Sequence, residues 1–159
     1  MISLNRLLGA FSNIFDSIEN KLLFVSIKKG LTYMIPLVLT GSIALIFISL
    51  PIPAYQQLMV NLFGERWTDV FLYIRDGSFG ILSVIMVLSI SYSYGVEYNE
   101  RNGHVTSPII VSAVSLGSFI AILGINEEGF SISNFGVVGA FIAIVVASTS
   151  SLLFYKLIS

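Results

Sequence analysis

The chain has 159 residues, a formal net charge of −1, 55% apolar residues, 11% charged residues and no cysteine. Charged residues make up roughly a quarter of an ordinary soluble domain, so this composition points away from water. Near-neutrality argues against a nucleic-acid partner, which needs a basic face; the lack of cysteine excludes disulfides, thiolate metal sites and a cysteine nucleophile, and a single histidine excludes a multi-histidine metal cluster.

The charges gather in clusters separated by four uncharged stretches, 30–64, 77–96, 102–126 and 129–155. A spanning helix needs about 20 mostly apolar residues to cross roughly 30 Å of acyl chain, and ionised side chains are costly inside it. The expected fold class is therefore an all-α polytopic membrane protein, with four transmembrane helices plus interfacial amphipathic helices.

Residues 1–29 form the first unit. Leu4, Leu7, Leu8, Phe11, Ile14, Phe15, Ile18 and Leu22 recur at three- and four-residue steps, which gathers them on one face of a helix lying along the membrane surface. Asn5, Arg6, Asp16 and Glu19 interrupt any continuous apolar run, so this is not a signal peptide. The membrane domain is expected over 30–159. Its first span is 31–50, entered after Lys28 and Lys29, with Pro36 near its start and Pro51 and Pro53 ending it. Segment 54–75 mixes Leu58, Leu62, Trp67 and Phe71 with Glu65, Arg66 and Asp69; it reads as one or two amphipathic helices outside the bilayer, hinged near Gly64. Trp67 and Tyr73 suit the headgroup level.

The second span, 78–94, is the least hydrophobic and carries Ser83, Ser89, Ser91, Tyr92, Ser93 and Tyr94. The third, 105–124, repeats Ala113, Gly117 and Ala121 at four-residue steps. The fourth, 133–155, contains Gly136 with Ala140, and Ala143, Ala147 and Ser151 in a second series. Small residues at this spacing let helix backbones approach closely in lipid, so leucine at Gly117 or Gly136 is expected to hold facing helices apart.

Arg6, Lys21, Lys28, Lys29, Arg101 and Lys156 fall on one side of a four-span topology. The other side holds Arg66, Arg75 and the acidic pair Glu127 and Glu128. The positive-inside rule then makes both termini cytoplasmic.

Few residues invite chemistry. His104 is expected as a solvated turn residue, although imidazole can accept a phosphoryl group or sense pH. Glu97, Glu100, Glu127 and Glu128 read as loop acids, and Asp76 as a helix cap. The hydroxyls of the second span can bond either a sugar or neighbouring helices. No phosphate loop, nucleophile elbow or metal-ligand spacing occurs. No catalytic residue, metal ligand or cofactor is expected, and the substrate-binding residues are left unassigned.

The run Lys29-Gly30-Leu31-Thr32-Tyr33-Met34-Ile35-Pro36, followed by Leu37-Val38-Leu39-Thr40-Gly41-Ser42 and closing on Leu50-Pro51, resembles the opening of phosphotransferase-system (PTS) enzyme IIC permeases. The similarity is to the lactose/cellobiose/diacetylchitobiose branch. Arg75-Asp76-Gly77, the serine- and tyrosine-bearing second span and Gly139-Ala140-Phe141-Ile142-Ala143-Ile144-Val145 resemble later parts of the same N-terminal half. The resemblance implies phosphoenolpyruvate-dependent disaccharide uptake across the bacterial inner membrane, with a IIB partner donating phosphate. It also implies that this half is a non-catalytic scaffold and homodimer contact, and that the sugar-binding residues belong to the C-terminal half, past Ser159. Similar membrane regions also occur as input domains of cyclic-di-GMP phosphodiesterases and cyclases, and Leu50-Pro51-Ile52-Pro53-Ala54-Tyr55-Gln56 resembles those equally; a membrane sensor is the alternative.

Overall fold

A computed structural model describes residues 21–124 and 135–158. The amphipathic stripe ahead of Lys21, the acids Glu127 and Glu128 and the expected start of the fourth span lie outside the described residues. Those that are described form helices and no strand: α1 (Leu22–Tyr33), α2 (Ile35–Ser49), α3 (Pro53–Phe63), α4 (Trp67–Phe79), α5 (Leu82–Asn102), α6 (Pro108–Leu123), a 3-10 turn (Val137–Gly139) and α7 (Ala140–Ile158).

Helices α1 and α2 run on as one 28-residue rod, Leu22–Ser49, and α4 and α5 as a 36-residue rod, Trp67–Asn102. Each rod bends once. The first bends at Met34, two residues before Pro36, which sits in the opening turn of α2 where its missing N–H does least harm. The second bends at Gly80 and Ile81, where the Gly80 amide still donates to the Asp76 carbonyl at 2.9 Å. With Val137–Ile158 these are, among the described residues, the three helices long and apolar enough to cross a membrane. Helix α6 is apolar but has only 16 residues, about 24 Å at 1.5 Å per residue, so it falls short of a full crossing by itself.

The two rods lie antiparallel, α1 against α5 and α2 against α4, while α6 and α7 pack on the remaining sides of α5. Helix α5 is therefore the hub. It buries ten residues from Leu82 to Glu97, whereas α2 buries only Gly41 and Ala44. Met34, Met86, Val87, Ile90, Phe119, Leu123, Ala143 and Ala147 form the main core. Most of α2 stays uncovered, Leu39, Ile43 and Ile46 among its exposed residues. An apolar helix left bare on most sides needs an apolar solvent, and the architecture is that of a polytopic all-α membrane protein.

Segment 54–75 resolves into α3 and α4, hinged at Gly64. The hinge has φ +83° and ψ 176°, a conformation open almost only to glycine. Helix α4 does not stop at residue 75, however. It continues through Asp76 to Phe79, so Asp76 lies inside a helix instead of capping one; its carboxylate pairs with Arg75. A cap needs non-helical backbone, and the rod supplies none there.

The small-residue faces divide. Ala143, Ala147 and Ser151 of α7 are buried, and Gly136 is buried beside them in sequence. Ala113, Gly117 and Ala121 of α6 are exposed instead, and a Cβ added at Gly117 would meet nothing within 4 Å. The expectation that Gly117 sits in a tight contact within the fold is not met. Helix α6 turns Val111, Phe119 and Leu123 inward, together with Ser112 and Ser115, and burial of the three apolar side chains sets that face because they exclude more surface.

Candidate functional site

Glycines set the closest approaches, and the sequence reading passed over them. A Cβ on Gly30 would fall 2.6 Å from the Ile90 Cα, and one on Gly95 would fall 3.0 Å from the Pro108 Cα. These two contacts draw α1 and the start of α6 onto α5. They bring the polar residues at one end of the bundle together.

At that end, the Lys29 ammonium of α1 donates to the Glu97 carboxylate of α5, and the Arg101 guanidinium, one turn on, lies 3.6 Å from the other carboxylate oxygen. The Glu97 side chain is only 7% exposed. It is therefore no loop acid: it sits on the helix, nearly sealed and flanked by two cations. Burial without a partner would leave an uncompensated charge, so Glu97 commits α1 to its seat on α5.

A cluster of rings adjoins it. Tyr98 stacks on Tyr155 of α7 with centroids 3.9 Å apart, and Tyr94 lies 5.9 Å from Tyr155. The Tyr155 hydroxyl donates to the Asn99 Oδ1 at 3.1 Å and faces the Gly95 carbonyl at 3.3 Å. Asn99 in turn donates to the Thr106 carbonyl, which ties down the turn after Gly103. The His104 ring packs on Tyr98 at 5.4 Å and is half-buried, so it belongs to this cluster and is not a solvated turn residue.

The hydroxyls of the second span turn into the fold. Ser83 donates to the Phe135 carbonyl at 2.6 Å, while Ser89 and Ser91 donate to carbonyls one turn back in α5. Ser93, Ser115 and Ser151 are buried without a hydrogen-bond partner. Tyr92 alone among the aromatic candidates is exposed, on an apolar groove of about 390 Å³ between α5 and α6 lined by Ile85, Leu88, Ser89, Tyr92, Ile109 and Ser112. Neither region pairs a nucleophile with a base, and among the described residues no group of three His, Cys, Asp or Glu could hold a metal ion. The arrangement fastens helices together.

A family model described as "Phosphotransferase system, EIIC" matches residues 28–159. The chain belongs to the EIIC family. Among curated proteins it is 29% identical over 147 residues to the cellobiose-specific EIIC component of Geobacillus stearothermophilus, covering 84% of this chain and 31% of that protein. It is 31% identical over 136 residues to the putative permease IIC component YwbA of Bacillus subtilis (79% and 30% covered), and 27% identical to the lichenan permease IIC component of the same organism (84% and 31%). The crystal structure of ChbC, the IIC component of the N,N'-diacetylchitobiose-specific system, superposes with a TM-score of 0.79 at 25% identity, over 92% of this chain and 36% of ChbC. These relatives bear out the lactose/cellobiose/diacetylchitobiose branch of the EIIC family. The chain spans about a third of the length of the relatives it matches.

Proposed function

We propose that this EIIC chain serves as the membrane scaffold and homodimer contact of a disaccharide permease in phosphoenolpyruvate-dependent uptake. It lies in the bacterial inner membrane with its N-terminus in the cytoplasm and works with a IIB partner that phosphorylates the incoming sugar. It carries no catalytic residue of its own. Membership of the EIIC family supports the transport reading. What supports the scaffold reading is how the described polar groups are placed: Lys29 with Glu97, Ser83 with Phe135, Asn99 with Thr106 and Tyr155 with Asn99 join separate elements, while Ser89 and Ser91 bond back into their own helix. The dimer reading rests on the α6 face at Ala113, Gly117 and Ala121, which is small, bare and unfilled. Lipid offers no hydrophobic drive for helix association, so close backbone approach over small residues is the available route. The relatives named above give the cyclic-di-GMP sensor alternative no support.

Two measurements test this. Light scattering of the purified chain in detergent should give a dimer, and Gly117→Leu should yield monomer with unchanged helical content; a dimer that survives the substitution overturns the interface. Equilibrium binding of radiolabelled cellobiose should stay at background. Saturable binding by the 159 residues would show that sugar-contacting groups lie within them.

A further inference from the structure

The elbow between α3 and α4, at the opposite end of the rods from Glu97, holds a hollow of about 340 Å³. It is lined by Met59, Phe63, Arg66, Trp67, Val70 and Phe71. Its walls are almost wholly apolar, with Trp67 buried against Tyr55 edge-on at 5.8 Å and against Phe71 at 6.0 Å. Gly64 sets the bend that opens it. A hollow of this size is at the small end for ligand sites, which run to about 1,000 Å³, and suits one slender apolar chain better than a ring system.

Two further observations say what that chain is attached to. First, Arg66 lines the hollow with its side chain 87% exposed, and its ion pair with Asp69 at 2.8 Å engages Nε rather than the two terminal nitrogens. A guanidinium is suited to grip a phosphate through paired N–H groups. Second, the elbow has the make-up of a membrane boundary. The bare apolar helix α2 ends at Ser49, and α3 then exposes Leu58, Leu62 and Phe63 beside Gln56, Gln57 and Asn61. The charges Glu65, Arg66 and Asp69 follow at once. Apolar and charged surface within one elbow, next to a tryptophan, is the pattern of a headgroup-level segment.

We infer that the α3–α4 elbow is a binding site for a single anionic phospholipid, with one acyl chain in the hollow and its phosphate on Arg66. The site is independent of sugar transport and stands whether or not the scaffold reading holds. It would pin the turn of the long hairpin to one leaflet.

Trp67 is the single tryptophan of the chain, so its emission reports the hollow directly. Phosphatidylglycerol with a brominated acyl chain, titrated at low mole fraction into the full chain in dodecyl maltoside micelles, should quench that emission saturably. Arg66→Gln should raise the half-saturating mole fraction about tenfold, in the range of one lost charge-assisted bond. Val70→Phe, which fills the hollow, should abolish the saturable phase while the far-ultraviolet circular dichroism stays unchanged. Quenching that only rises in proportion to lipid would mean ordinary partitioning and overturn the site. Equal saturable quenching by a brominated alkyl maltoside would remove the phosphate from the proposal and overturn it as stated. Protection from quenching that grows with protein concentration would assign the hollow to a second copy and overturn it likewise.

Discussion

Replacing Gly30 by alanine should destabilise the fold although alanine is the better helix former. The added Cβ would lie 2.6 Å from the Ile90 Cα, 2.7 Å from its Cγ1 and 2.8 Å from its amide nitrogen. Carbon atoms rest comfortably at about 3.5–4.0 Å, so α1 and α5 would have to part by about 1 Å. Two of the three nearest atoms are backbone and cannot rotate away. Overpacking of this kind costs about 1–3 kcal/mol, and the helix propensity gained over glycine returns up to about 1 kcal/mol. The net expectation is a loss of about 1–2 kcal/mol. Gly117→Ala is the internal control: nothing lies within 4 Å of its new Cβ, so only the propensity term remains and the same chemical change should be neutral or stabilising. Unfolding in mixed micelles of dodecyl maltoside and rising dodecyl sulfate, followed by circular dichroism, measures both. If Gly30→Ala unfolds at the wild-type midpoint, or if Gly117→Ala loses as much as Gly30→Ala, close glycine contact does not seat α1 on the hub.

Other expectations use the same titration. Tyr155→Phe removes the hydroxyl that reaches Asn99 and Gly95 but keeps the ring stack on Tyr98, so it should cost about 0.5–1 kcal/mol; Tyr155→Ala also empties a fully buried volume and should cost about 3–5 kcal/mol. Glu97→Gln and Lys29→Met should each destabilise, and the double variant should lose less than the sum, because each single change strands the other's partner; strict additivity would mean the pair does not couple α1 to α5. Gly103, at φ +67°, should resist alanine by about 1–2 kcal/mol, with asparagine milder because it tolerates the left-handed region.

The all-helical membrane character was legible because its cause is local: an ion avoids hydrocarbon wherever it stands in the chain. The helix ends were not, since the gap 30–64 holds the end of α1 and all of α2 and α3, and α5 runs on through Glu97, Glu100 and Arg101 to Asn102. The hinge at Gly64 was legible for a related reason: a glycine between two amphipathic runs leaves few other backbones. Glu97 misled because it stands at the edge of a charge cluster, where sequence alone cannot tell a solvated acid from one sealed by a lysine 68 positions away. His104 misled in the same way, since its partners Tyr98 and Tyr155 lie on two helices.

The small-residue stripes show the same boundary from the other side. Ala113-Gly117-Ala121 and Ala143-Ala147-Ser151 have the same four-residue spacing, yet the fold buries the second and leaves the first bare. Periodicity says that a face is smooth; only the positions of other helices say whether anything lies on it. Sequence by itself determined an all-helical membrane chain with a hinge at Gly64, because solvation of charge and backbone reach are properties of short segments. Tertiary structure alone decided that α5 is the hub, that Gly30, Gly41 and Gly95 stand at close helix contacts, and which polar groups are spent on packing. Those outcomes depend on which surfaces meet, and meeting is a property of pairs of segments far apart in the chain.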